Sequence, residues 1–269
     1  MCLHVFGSGY SLTIKFFIMK NEVKVQGTSS LQTNRRSFLK ISGLGAIGAG
    51  LLLAGCSDDD DDNPIIQPNN FPGIRNGIFD LGGGDLGILT YAYALEQLEA
   101  DFYTKVVNAS GFNANFSVEQ KAVLTDLYNH EVIHREFFKA ALTGALPNAS
   151  TQLLPNLSFA YDDVNFNSPA SVLGTAKLLE DTGVAAYNGA GKYITNADYL
   201  LLAGKIVSIE ARHASAIRSL INTNSADFAG DDVVDPTTGL DMAKKPSQII
   251  QEVSSLDIIQ TAFTAQFLP

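Results

Sequence analysis

The chain has little sulfur, little histidine and no long hydrophobic stretch. Its two cysteines, Cys2 and Cys56, cannot build a disulfide framework across 269 residues. Apolar residues make up 46% of the chain, yet they fall in periodic patches, and the one continuous apolar run, Ile41 to Gly55, is too short to span a bilayer comfortably. A membrane channel is therefore excluded. Basic charge is also scarce, with 18 lysines and arginines against 28 acidic residues and a net charge of -10. Together with the aspartate run at 58–62, that balance argues against nucleic acid or anionic lipid as a direct partner. The length suffices for one sizeable core and a small second module.

The first feature present is an address. "NRRSFLK" places Arg35 and Arg36 directly before a moderate, glycine-rich apolar core, the pattern of a twin-arginine export signal, and Leu53-Ala54-Gly55-Cys56 resembles a lipobox. Residues 1–55 are expected to be a signal peptide removed before Cys56, which would carry the lipid of an envelope lipoprotein. Cys2 would leave with the leader, so the mature chain has no free thiol. Met19 stands at a more usual distance from Arg35 than Met1 does and is the alternative start. Cys56, Ser57 and the aspartates after them resemble a tag that sends lipoproteins to the outer membrane or the cell surface. Residues 56–84, with Pro64, Pro68 and Pro72 and little periodicity, read as an acidic, proline-rich tether.

From Asp85 the pattern turns helical. Leu89, Ala92, Tyr93, Leu95, Leu98, Phe102 and Val106 keep a 3.6-residue spacing. A second helix opens on Ser117 and Gln120 in capping-box positions and closes at Gly144. The connection from Ala145 to Asn167 has two prolines and no helical period, a length that suits a crossover from one end of a bundle to the other. Ser168-Pro169 starts a third helix, and a fourth begins near Asn196. Residues 85–222 thus read as an all-α four-helix bundle with a long crossover between its second and third helices.

Chemistry enters with two of the four histidines. "NHEVIHREFF" carries Glu131-x-x-His134 on the second helix, and "SIEARHASAI" carries Glu210-x-x-His213 on the fourth. The first and third helices each place a glutamate on the apolar side, Glu96 and Glu180, with a tyrosine seven residues later, Tyr103 and Tyr187. Nine glutamates and four histidines predict on the order of 0.1 such Glu-x-x-His pairs by chance, against two in bundle order. The i to i+3 spacing points both side chains inward at adjacent depths. Four buried, unpaired glutamates would each cost several kcal/mol, a penalty that two divalent ions remove. Such a pair needs several anionic oxygens, two of them able to bridge, and an imidazole for each ion.

With these residues in place, the segment 85–222 resembles the ferritin-like superfamily of di-metal carboxylate proteins, and "LEDTGVAAYNGA" with "EARHASAIR" is similar to its desiccation-related branch. The resemblance covers about half the chain and implies two iron or manganese ions held by Glu96, Glu131, His134, Glu180, Glu210 and His213. Glu99, one turn beyond Glu96, is the alternative ligand; Glu96 is favoured because it alone has the tyrosine at +7. Tyr103 and Tyr187 are candidate catalytic groups, as redox-active side chains or as hydrogen-bond partners of the carboxylates; their plainer role is core packing.

His130 points about 100° away from Glu131 and is assigned to the surface or to a place behind the ligands. Asp181 and Glu136, off the motif stripe, read as solvated. Gly183, one turn past Glu180, either permits close helix contact or leaves room beside the metals. Past Asn222 the chain is loop-like and acidic; Asp231, Asp232 and Asp235 lack EF-hand spacing and read as a surface loop rather than a calcium site. A short fifth helix is expected over "SQIIQEVSSLDIIQTAF", so that 223–269 caps the bundle or forms the contact of a homo-oligomer. Two functions stay open. One is a lipid-anchored di-metal protein reacting with dioxygen or peroxide, as an Fe(II) oxidase or a peroxide-removing enzyme in stress protection. The other is a non-catalytic, stress-related binding or structural protein in which metals only stabilise the bundle.

Overall fold

The computed structural model describes residues 70–269; the 1–55 leader with Arg35 and Arg36, the lipobox with Cys56 and the start of the tether lie outside the described residues. Four long helices build the molecule: α1 (Gly84–Val107), α3 (Val118–Ala145), α5 (Pro169–Gly191) and α6 (Ala197–Ile221). Short turns of helix, α2 (Phe112–Asn115) and α4 (Ala149–Gln152), sit in the connections. Three of the long helices start at the expected caps. Ser117 and Gln120 close a reciprocal capping box, Ser168 accepts from the Ser171 amide ahead of Pro169, and Asn196 accepts from the amides of Asp198 and Tyr199.

Helix α1 packs along α3 and α5 along α6, and the two pairs meet through α1 with α5 and α3 with α6. This is the expected ferritin-like four-helix bundle. No described helix is long and apolar enough to cross a membrane. Helix α1 differs from its sequence reading in being buried all round: every residue from Gly87 to Ala100 is buried, including Thr90, Gln97 and Glu99. The crossover and the C-terminal segment both lie against it: Tyr91, Ala94 and Leu95 share a pocket with Ile250, Val253 and Phe263. Gln97 accepts from the Leu157 amide at 2.8 Å and donates to the Pro155 carbonyl at 3.3 Å, while the Tyr161 hydroxyl donates to the Leu98 carbonyl. Rings of Phe102, Tyr161 and Phe166 pack together at the same place.

The structure departs from the sequence reading in three regions. Residues placed in the tether form a hairpin, β1 (Gly73–Arg75) and β2 (Ile78–Asp80), turning at Asn76-Gly77 with φ of 52° and 83°. A third strand, β3 (Phe263–Thr264), adds parallel to β2. Asp80, fully buried, joins them, accepting from the Gly82 amide, the Thr264 hydroxyl and the Gln266 amide at 2.7–3.0 Å. The expected fifth helix, α7 (Pro246–Ser255), is shorter than its pattern, because Asp257 adopts φ 53° and Ile259 bridges to Phe159 of the crossover. Asp181 is not solvated: it receives Arg218 through Nε at 3.1 Å and Nη2 at 2.7 Å, and Arg218 in turn reaches Asp232 with Nη1 at 2.5 Å. That chain of charge fastens the segment after α6 to α5 and α6. Asp235 accepts from the turn amides of Thr237 and Thr238.

Candidate metal centre

All four helices deliver carboxylates to one level of the core. Glu96 comes from α1, Glu131 and His134 from α3, Glu180 from α5, and Glu210 and His213 from α6; the four glutamates are 0% exposed. Two groups form with ligand atoms within 4.8 Å of one another: Glu96, Glu131, His134 and Glu210, and Glu131, Glu180, Glu210 and His213. Glu131 and Glu210 belong to both.

The oxygens divide accordingly. Nδ1 of His134 lies 3.4 Å from Oε2 of Glu131 and 3.0 Å from Oε1 of Glu210, while Nδ1 of His213 lies 2.8 Å from Oε1 of Glu131 and 3.5 Å from Oε2 of Glu210. Each of these carboxylates thus gives one oxygen to each side. Glu96 reaches only the His134 side, at 3.4 Å, and Glu180 only the His213 side, at 3.3 Å. These inward oxygens and both Nδ1 atoms are buried without a hydrogen bond, the condition that ordinarily marks a missing ion. Four carboxylates match the charge of two divalent cations, and carboxylate with imidazole suits iron, manganese or zinc. The residues present therefore fit such a pair.

Electrostatics of the metal-free cluster carry the same message. Burial pushes Glu96 well above the ordinary carboxylate range, His134 only partly offsetting it, and raises Glu180 to about 8 despite His213. Burial acts on Glu131 too, but the imidazoles on both sides of it bring its carboxyl down to about 2. Desolvation would lower both histidines; the carboxylates around them instead raise His213 to about 12 and His134 still further.

The tyrosines cross between helices. Tyr103 of α1 donates to Oε1 of Glu180 on α5 at 2.5 Å, and Tyr187 of α5 donates to Oε1 of Glu96 on α1. Each hydroxyl engages the outer oxygen of a glutamate and leaves Oε2 to face the histidine. Burial, then the negative charge of the accepting glutamate, holds both phenols well above their usual range.

Glu99 stands beside the cluster and in neither group. It is 3% exposed, and its burial, reinforced by the charges of Glu210, Glu131, Glu180 and Glu96, pushes its carboxyl far up. Gly183 faces it: a Cβ there would lie 2.9 Å from Oε1 of Glu99 and 3.9 Å from Oε2 of Glu210. Of the two roles for Gly183, space at the cluster is the one its neighbours support.

His130 is exposed and outside both groups, yet its Nδ1 lies 2.9 Å from Nε2 of His213 and the rings run nearly parallel, 13° apart. Its partner comes from α6, 83 residues along the chain, so no local pattern announces the contact. Glu136 is exposed and paired with Arg135.

The profile of the ferritin-like domain family matches residues 84–223 of the chain. Among curated proteins none matches the sequence.

Proposed function

Because the chain belongs to the ferritin-like domain family and its bundle gathers six side chains able to hold metal ions, we propose that it is a di-metal carboxylate protein. It uses two iron or manganese ions to react with dioxygen or peroxide in stress protection. The observation that carries the proposal is the sharing of Glu131 and Glu210, whose oxygens face the two histidines one apiece.

Glu96 with His134 and Glu180 with His213 would each serve one ion, and Glu131 and Glu210, which belong to both groups, would serve either. Redox-active ions bound there supply Lewis acidity and electrons. The chain's own part is to hold, orient and exclude. Tyr187 and Tyr103 donate a hydrogen bond to the outer oxygen of Glu96 and Glu180, directing the inner oxygen at the centre. The dry core keeps bulk water from all four glutamates. An apolar cavity of about 20 Å³, lined by Ile88, Leu95, Phe138, Tyr187 and Ala203, reaches the ring whose hydroxyl binds Glu96. Its exposed lining is apolar, which suits a small molecule such as dioxygen better than a polar organic substrate.

The test is metal analysis of the chain from its native host, followed by oxygen uptake on adding Fe(II). Two iron or manganese ions per chain and uptake lost in Glu131→Gln with His134→Gln are expected. Two bound ions with neither oxygen nor peroxide consumption would favour the non-catalytic alternative.

We also propose export by the twin-arginine route and lipid anchorage at Cys56, supported by the Arg35-Arg36 pair and the Leu53–Cys56 pattern. Cys56→Ala is expected to move the protein from the membrane to the soluble fraction; retention in the membrane overturns the anchor.

A further inference from the structure

We propose that His130 is a positioning residue for one metal position: it holds His213 with Nε2 protonated and Nδ1 turned to Glu131, Glu180 and Glu210, so that the two positions fill in order. The inference rests on the di-metal reading and adds an inequality between positions that the repeated Glu-x-x-His motif does not contain.

The geometry is asymmetric. Both motif histidines present Nδ1 to the carboxylates, so each must carry its proton on Nε2 when Nδ1 binds an ion. With its proton on Nε2, His213 can donate to Nδ1 of His130, 2.9 Å away, and the rings are aligned so that the contact also limits rotation of the His213 ring. Among the described residues, Nε2 of His134 has no such hydrogen bond, and the His134 side chain is 12% exposed against 3% for His213. A histidine ligand whose second nitrogen is hydrogen-bonded is fixed in tautomer and orientation and is a better donor to the metal. The position built from Glu131, Glu180, Glu210 and His213 is therefore preorganised, and the position built on His134 and Glu96 is completed afterwards.

His130 is suited to be tested, because it is exposed and belongs to neither ligand group. His130→Phe keeps a ring against His213 and removes the acceptor. His130→Asn removes the ring but can place an amide oxygen where Nδ1 stands.

The metal-free full chain would be titrated anaerobically with Co(II), whose visible absorption reports its ligands, with a thermal melt of each metal-free variant to show that the bundle is intact. Wild type is expected to take two ions in two steps. His130→Phe should weaken the tighter step roughly 10–100-fold, the usual effect of losing a partner behind a ligand, and leave the weaker step in place; His130→Asn should recover most of the loss. Two Co(II) steps in His130→Phe with wild-type affinities overturn the inference and leave the di-metal reading standing. Equal losses in both variants overturn the hydrogen bond as its basis. A wild type that binds no Co(II) brings down the di-metal reading, and this inference with it.

Discussion

Glu96 and Glu99 lie one turn apart on α1, both buried, yet only Glu96 shares a group with His134. Geometry separates them by their partners: Oε1 of Glu96 is engaged by Tyr187 and Oε2 faces His134, whereas Oε1 of Glu99 is turned toward Gly183 and Oε2 has no hydrogen bond. Because Glu99 belongs to neither ligand group, Glu99→Gln, a change of the same shape, removes no ligand. It should leave the stoichiometry of Co(II) or Mn(II) binding at two. Glu96→Gln removes an anionic ligand, and its effect on the His134 position should exceed the roughly 10–100-fold that follows loss of a mere outer partner. Titration of both variants decides between them, and the reverse pattern would give Glu99 the ligand's place. Sequence spacing could favour Glu96 only because the tyrosine at +7 marks it. The spacing could not show that each tyrosine serves the glutamate of the other helix, since that depends on how α1 and α5 pack.

The helix starts were legible because capping is local: Ser117 with Gln120, Ser168 before Pro169, and Asn196 each act within three residues. The Asn76-Gly77 turn is a local hairpin signal as well, but it sits behind an acidic, proline-rich stretch, and the partner that completes its sheet, β3, lies more than 180 residues away. Long range also hides the reason for the glycines of α5. A Cβ on Gly189 would overlap the carbonyl of Lys244, where the C-terminal segment crosses α5 and the Lys244 amide donates to the Ala185 carbonyl at 3.0 Å. Backbone cannot yield as a side chain does, so Gly189→Ala should lift this segment from the helix at a cost of about 1–3 kcal/mol. A lower melting temperature with faster proteolysis between residues 223 and 245 is the expected result. An unchanged melt would mean that the crossing contributes little to stability. At Gly183 the obstacle is a glutamate side chain instead, so Gly183→Ala should act on the metal centre more than on the fold.

At the scale of the whole molecule, the bundle encloses more acid than its interior can hold ionised, and this makes its stability depend on pH and on metal together. In the metal-free state His213, at about 12, contributes stability that is complete below its unfolded value near 6.5 and is lost as pH rises toward 12. Glu180, raised to about 8, is a carboxyl that the folded state prefers protonated, so its ionisation costs stability progressively as pH climbs from about 4.5 to 8. Glu131, depressed to about 2, acts in the other sense, but its contribution is already complete above about 4.5 and does not change from pH 6 to 8. Over that interval the folded state binds more protons than the unfolded chain, and metal-free stability should fall as pH rises. Metal binding needs neutral imidazole and ionised carboxylate, the forms favoured at the higher pH, and an ion that binds only the folded chain stabilises it by mass action. The gain in melting temperature on adding Mn(II) should therefore be larger at pH 8 than at pH 6. Glu210→Ala, which removes an oxygen from both positions, should abolish most of that gain, and it should raise metal-free stability if losing one buried acid outweighs the small cavity left behind. Glu136→Ala, on the exposed face of α3, should change neither quantity. Equal Mn(II) shifts in wild type and Glu210→Ala would remove Glu210 from the centre and with it the sharing of two carboxylates between two ions.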